Sequence, residues 1–255
     1  MLLTVDVGNT HVKFAVYEEQ ALRGNWRATT DRERTPDEWG IHLERFLDQG
    51  GLGLGDLSGC IIASVVPQLT DSLRQMAEKY PRLKPLIVTH ESNLGIGIDY
   101  PHPYEIGADR LVNSVAAFAA YGAPVFVVDF GTGTTFDIVN AEGAYTGGII
   151  APGLEASLAA LSQRAARLFN VALEFPPSVI GKSTAQAMQS GLLWGYVSLI
   201  EGLGARVQEA LGQPCPVIAT GGLADRIAPH TTLFTVVDHD LTVKGLRLIW
   251  ERNQR

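Results

Sequence analysis

The chain opens with an apolar run that ends on a carboxylate, Leu2 to Asp6, and passes through a Gly8-Asn9 turn into a second run, Lys13 to Tyr17. That spacing predicts a strand hairpin, with Arg23 to Thr29 as a third antiparallel strand. From Pro36 to Gln49 the period lengthens, and Trp39, Leu43, Phe46 and Leu47 form the stripe of an amphipathic helix. After the flexible break Gly50 to Gly55, the run Cys60 to Val66 is apolar almost throughout and stops at Pro67, as a buried parallel strand does. A helix is expected from about Leu69 to Tyr80 and a short strand over Leu86 to Thr89. The stretch Asn93 to Glu105 reads as mostly loop, because Gly95, Gly97, Pro101 and Pro103 interrupt any period. Ala108 to Tyr121 then reads as a helix.

At this point the pattern restarts. Pro124 to Asp129 is again a strand ending in Asp, followed by Gly131, with return strands over Phe136 to Val139 and Ala144 to Ile150. Helical stretches follow over Leu154 to Phe169 and Thr184 to Leu211, then a buried strand, Pro216 to Thr220, that ends in Gly221-Gly222, and a closing helix, Leu241 to Glu251. Two copies of strand–Asp–x–Gly–turn–strand imply two similar α/β domains facing each other across a cleft, 1–117 and 118–255. A single doubly wound sheet is the alternative. The hairpin at each start argues against it, because a βαβ fold runs from its first strand directly into a helix.

Composition narrows the function classes. The 255 residues are 46 % apolar and 18 % charged, a globular balance large enough for a sizeable core. A net charge of −7 gives no general attraction to nucleic acid or anionic lipid. Cys60 and Cys215 sit beside strand-like runs without metal spacing and read as structural. The first residues do not resemble a signal peptide, since Asp6 interrupts the apolar run and no basic segment precedes it. No apolar stretch is long enough to span a membrane. A cytoplasmic protein is expected.

The candidate chemistry lies at the two restarts and between them. In Asp6-Val7-Gly8-Asn9-Thr10, glycine lets the backbone bend towards a ligand. Asn9, Thr10 and nearby N–H groups can hold phosphate oxygens, Asp6 can hold Mg²⁺ directly or through water, and Lys13 can reach a phosphate. An ordinary Asx turn would look the same in isolation. The second segment, Asp129-Phe130-Gly131-Thr132-Gly133-Thr134-Thr135, repeats the arrangement and adds three threonines. Two carboxylates aimed into one cleft are costly unless a cation or a phosphate–metal complex sits there. In Gly107-Ala108-Asp109-Arg110, at a loop–helix junction, Asp109 can take a proton from a substrate hydroxyl while Arg110 binds an anion. A helix-start carboxylate beside a surface arginine is the bland alternative. Both of its neighbours, the helix start and Arg110, favour a charged Asp109. Gly181-Lys182-Ser183-Thr184 fails as a phosphate-binding P-loop, because Pro176 stands where its first glycine is required; Ser183 or Thr184 instead begins the next helix as N-cap. Gly221-Gly222 fits close backbone approach to a flat ligand such as adenine, or a plain turn.

In this order and spacing the motifs resemble those of the type III pantothenate kinases over essentially the whole chain. The matching segments are DVGNTHVK at 6–13, ASVVP at 63–67, GADR at 107–110, DFGTGTTFD at 129–137, GGIIAPG at 147–153, IGKST at 180–184, SGLLWGY at 190–196, IEG at 200–202, TGG at 220–222 and LTVKGL at 241–246. The resemblance implies a duplicated ribonuclease H-like (actin-like ATPase) fold, a homodimer, and transfer of phosphate from ATP to pantothenate with Mg²⁺ and a monovalent cation, K⁺ or NH₄⁺. It assigns Asp109 as general base. Tyr100, Gly107, Ala108, Asp109, Arg110 and Thr184 become pantothenate contacts. Asp6, Val7, Gly8, Asn9, Thr10, His11, Val12, Lys13 and Thr132 become ATP contacts, and Asp129 becomes the monovalent-cation ligand. Three places depart from the family pattern: Gly133 where Ala is usual, His102-Pro103 where Asn-Pro is common, and Ala165-Ala166-Arg167-Leu168-Phe169. None removes an acidic or phosphate-binding position. A sugar or acetate kinase of the same superfamily would keep both Asp-x-Gly turns without reason to keep GADR. A non-catalytic actin-like protein would have no use for Asp109, Arg110 and Tyr100 together.

Overall fold

The computed structural model describes residues 1–164 and 171–254. In chain order the strands are β1 (Leu2–Val7), β2 (His11–Glu18), β3 (Ala21–Thr29), β4 (Gly59–Ser64), β5 (Leu86–Ile87), β6 (Gly97–Ile98), β7 (Val125–Phe130), β8 (Gly133–Val139), β9 (Ala144–Pro152), β10 (Val217–Gly221) and β11 (Val236–Val237). The helices are α1 (Pro36–Gln49), α2 (Pro67–Lys79), α3 (Ala108–Tyr121), α4 (Leu154–Arg164), α5 (Thr184–Leu211), α6 (Ala224–Ile227) and α7 (Leu241–Asn253). They form two compact units, residues 1–120 with 240–255, and residues 121–239.

The first unit is built on a sheet of order β3-β2-β1-β4-β5. β1 pairs antiparallel with β2 and parallel with β4, so its backbone is bonded on both edges and all six residues are buried. Strand alternation then divides its side chains. Leu3, Val5 and Val7 join Phe14, Ile62 and the stripe Trp39, Leu43 and Leu47 of α1 in one core, closed by Leu69, Leu73 and Met76 of α2. Each such side chain contributes about 1.5–3 kcal/mol by leaving water. Leu2, Thr4 and Asp6 point to the opposite face. α1 begins where the sequence sets it to: Thr35 and Glu38 form a reciprocal capping box and Pro36 follows at the first helical position. α7 packs against β1 and β4. Its Gly245 lies so close to α3 that a β-carbon there would meet the Val112 carbonyl oxygen. Cys60 is fully buried, and burial pushes its thiol up to about 12, so it is an inert core residue.

The second unit repeats the sheet order. β7, β8 and β9 form an antiparallel meander, β10 pairs parallel with β7, and β11 parallel with β10. Phe126, Val128, Phe130, Phe136, Val217 and Ala219 pack against Leu193, Tyr196, Val197 and Ile200 of α5. Asp129, Thr135, Asp137 and Thr220 alternate onto the other face. Both sheets thus read meander first, then two parallel strands, and neither opens as a βαβ unit.

The segment 93–105 is mostly loop, as expected, and also holds the two-residue β6 and a 3-10 turn over Pro103–Glu105. The helix expected over Leu154 to Phe169 is α4 as far as Arg164; residues 165–169 lie outside the described residues. The run expected as 118–255 parts company with its final helix, which packs in the first unit, because the apolar face of α7 (Leu241, Val243, Leu246, Ile249) is buried there against the β1–β4 side of the sheet. The four-residue α6 and the two-residue β11 are too short for periodicity to reveal.

Candidate active site

In the first unit, Asp6 sits on the sheet face turned away from the α1–α2 core, directly opposite Lys13 on β2. The Lys13 Nζ lies 3.7 Å from Asp6 Oδ2, both side chains being largely shielded. Val7 ends β1 and Val12 is buried in β2, so these two residues set the hairpin's position rather than touching solvent. The turn between them is anchored from behind. The Gly8 N–H donates to the His11 carbonyl at 3.0 Å, the Thr30 hydroxyl donates to the Gly8 carbonyl at 2.6 Å, and the Thr30 N–H donates to the Thr10 carbonyl at 2.9 Å. Carbonyls are thereby drawn back towards β3, while Asn9, Thr10 and His11 stay exposed at the tip. A β-carbon at Gly8 would lie 3.2 Å from the His11 carbonyl oxygen, so a side chain there would need the turn to give by a few tenths of an ångström.

The GADR segment lies against the end of β4. The position a Gly107 β-carbon would take is 3.4 Å from Val65 Cγ1 and 2.6 Å from Asp109 Oδ1. The Asp109 carboxylate therefore folds back over Gly107, and its Oδ1 accepts the Arg110 N–H at 2.8 Å. Ala108 is buried, and Asp109 and Arg110 are half-buried in the first turn of α3. Burial pushes Asp109 above the ordinary carboxylate range; the Arg110 N–H, the Arg110 charge, its own backbone N–H and the Lys13 charge pull the other way. The expectation that the helix start and Arg110 would dominate is thus corrected: desolvation is the larger effect. Lys13 acts on Asp109 as well as on Asp6, so the first motif and GADR share one electrostatic neighbourhood. Tyr100 is half-buried in the loop before GADR.

In the second unit, Asp129 stands opposite Thr135 on β8 and Thr220 on β10, three polar positions in a row across adjacent strands. Gly221 follows with φ +93°, and a β-carbon there would come within 2.6 Å of both Asp129 Oδ1 and the Phe130 carbonyl oxygen. Gly221 is therefore needed to leave space beside the Asp129 carboxylate, a role distinct from the adenine approach read from the sequence. A β-carbon at Gly153 would meet the Thr132 and Gly131 carbonyls, so the 131–133 turn rests on the start of α4 with Thr132 exposed. Thr134 is tied to Tyr196 of α5 through a hydroxyl–hydroxyl contact that fixes the turn from its core side. Carboxylate and hydroxyl oxygens beside a glycine-cleared space suit a hard cation. Among the described residues no three His, Cys, Asp or Glu side chains gather to hold a metal, so a cation here would draw on hydroxyl and ligand oxygens as well as Asp129. Ser183 is the N-cap of α5, accepting the Gln186 N–H at 3.2 Å, and Thr184 follows exposed at the first helical position.

Sequence reasoning counted Thr135 only as one hydroxyl of a turn that could cradle a phosphate or a cation, and assigned no role to Asp137 or Thr220. Asp137 is fully buried yet accepts hydrogen bonds from the Thr135 hydroxyl at 2.9 Å and the Tyr145 hydroxyl at 3.3 Å. The usable signal was the two-residue spacing along β8, which sets Thr135 and Asp137 on the face that carries Asp129.

The model of the family described as type III pantothenate kinase matches residues 2–206. The type III pantothenate kinase of Thermomicrobium roseum is 48 % identical over 255 residues, covering 100 % of this chain and 98 % of that protein. That of Roseiflexus sp. strain RS-1 is 49 % identical over 254 residues, covering 100 % of each. In fold, the chain is similar to the crystal structure of the inorganic polyphosphate/ATP-glucomannokinase from Arthrobacter sp. strain KM, with a TM-score of 0.52, 15 % identity and 98 % of each chain covered. At that identity the likeness concerns the α/β fold alone. Near-half identity along the entire length, together with the two Asp turns and GADR in their expected places, establishes that the chain belongs to the type III pantothenate kinase family.

Proposed function

We propose that the enzyme transfers the γ-phosphoryl group of ATP to the primary alcohol of pantothenate, giving ADP and 4′-phosphopantothenate, the first step of coenzyme A synthesis. The observation that carries the chemistry is the half-buried Asp109 carboxylate, folded over Gly107 at a helix start and lying in the field of Lys13 and Arg110. Desolvation brings its proton affinity nearer to the range in which a base works at neutral pH. Asp109 orients the acceptor hydroxyl and takes its proton as the new O–P bond forms and the bond to the ADP oxygen breaks. Arg110, with Gly107, Ala108, Tyr100 and Thr184, holds pantothenate, the guanidinium meeting the acceptor's carboxylate. The turn 8–11, through the exposed side chains of Asn9, Thr10 and His11, together with Lys13 and Thr132, contacts ATP phosphates. Asp6 is suited to the hydrated Mg²⁺ that accompanies the nucleotide, and Asp129 to K⁺ or NH₄⁺. These ions neutralise charge on the transferring phosphoryl group when bound.

The order β11-β10-β7-β8-β9 in the second sheet, which repeats β5-β4-β1-β2-β3 of the first, supports a duplicated ribonuclease H-like (actin-like ATPase) fold. Exposed apolar side chains at Val179 and Ile180, beside the start of α5, support a homodimer. A cytoplasmic location accords with a chain in which no described helix is long and apolar enough to cross a membrane. Purified protein given pantothenate, Mg·ATP and potassium should yield 4′-phosphopantothenate by mass spectrometry. Equal or faster turnover of a sugar or of acetate would overturn the acceptor assignment.

A further inference from the structure

The two units treat their strand-end aspartates differently. In the first, the residue directly across the hairpin from Asp6 is Lys13, whose ammonium lies 3.7 Å away. In the second, the corresponding residue across from Asp129 is Thr135. Directly opposed residues on one sheet face hold their β-carbons about 4.5–5.5 Å apart, so the Thr135 hydroxyl is within reach of whatever Asp129 holds. A threonine hydroxyl has one proton to donate and two lone pairs to offer. The proton of Thr135 is already committed, since Oγ1 donates to Asp137 Oδ2 at 2.9 Å. The other Asp137 oxygen accepts the Tyr145 hydroxyl at 3.3 Å, and the whole residue is buried, so the carboxylate is held in place. What the Thr135 hydroxyl has left to offer a neighbour is therefore oxygen lone pairs. A phosphate oxygen needs donors and gains nothing from them; a cation does.

We propose that Thr135 is a second protein ligand of the monovalent cation at Asp129, and that Asp137 is the positioning residue that makes its hydroxyl an acceptor. This rests on the reading of Asp129 as a cation ligand. Asp137 acts through Thr135, in the way that outer partners orient first ligands of metal sites. Thr135→Val keeps the shape and removes the oxygen. Thr135→Ser keeps the oxygen and its bond to Asp137. Asp137→Asn can turn an amide N–H towards Thr135, which reverses the hydroxyl. The test is potassium affinity, measured as the KCl concentration that half-maximally raises the melting temperature of the ADP complex over an NaCl control, and in parallel by ²⁰⁵Tl⁺ NMR line broadening. We expect T135V and D137N each to weaken K⁺ and Tl⁺ binding by about 10–100-fold, and T135S to stay near wild type. Wild-type potassium affinity in folded T135V overturns the proposal, whatever the fate of D137N. Loss of affinity in T135S equal to that in T135V also overturns it, because the oxygen would then not be what matters. A wild-type protein that shows no preference for K⁺ over Na⁺ in either measurement overturns the Asp129 reading itself, and this proposal with it.

Discussion

Asp109 carries a conflict between stability and function. Its folded-state proton affinity is raised, chiefly by burial. A raised carboxylate stabilises the folded state fully only below its unfolded pKa, about 3.9, and that contribution is lost as pH rises through the higher folded value. At neutral pH the charged side chain is therefore a net burden on the unliganded fold. Asp109→Asn keeps the shape and the acceptor oxygen for the Arg110 N–H but discards the charge. We expect D109N to melt at or above the wild-type temperature at pH 7, with the difference vanishing near pH 4, while kcat falls about 10²-fold or more. Calorimetry at both pH values and steady-state kinetics check the pair of effects; a folded D109N within a few-fold of wild-type kcat would remove Asp109 as the base. Arg110→Ala should instead raise the KM for pantothenate with a smaller effect on kcat. The identity of these residues was legible in the sequence because GADR is a compact motif. The sign of the Asp109 shift was not, since desolvation depends on Val65 and other neighbours distant in sequence. Asp137 was legible only as a letter inside a motif, because its role depends on which face of β8 it occupies and on Tyr145 from the next strand.

At the scale of elements, the helices α1, α3 and α5 follow directly from periodicity and capping residues, and their bounds match the expected ones. Strands shift by one to three residues, because pairing with a neighbour, not the apolar run itself, decides where a strand starts and stops. What sequence could not give is which elements meet. The contact between α7 and α3 is one such case. Gly245 on α7 sits where any side chain would collide with the Val112 carbonyl, and α3 is the helix that begins with Asp109 and Arg110. Gly245→Ala should force the two helices apart. We expect a loss of about 1–3 kcal/mol in denaturant unfolding, the range for overpacking, accompanied by lower activity because the helix carrying the base moves. Gly221→Ala tests the second unit in the same way. Its backbone has φ +93° and its β-carbon would crowd the Asp129 carboxylate, so potassium stimulation should weaken together with stability.

For the whole molecule, the proposed cation site and homodimer give two further measurements. Potassium or ammonium should stimulate turnover and sodium should do so poorly; an unchanged rate in buffer free of both would exclude the site. Light scattering should give a mass twice that of the 27.5 kDa chain at assay concentrations. The division into units has a consequence in time as well as in space. Residues 121–239 are one continuous stretch, whereas the other unit joins 1–120 to 240–255. During synthesis the continuous unit has its whole sheet and α5 available before α7 has been made. The unit that bears Asp109 must wait for α7, because that helix covers β1 and β4 and seats α3. The base and its helix are thus assembled last, although they are translated first. On stalled nascent chains, limited proteolysis should find 121–239 protected at lengths where β1, β4 and α3 are still cut, and protection of GADR should appear only once residues 241–253 have left the ribosome.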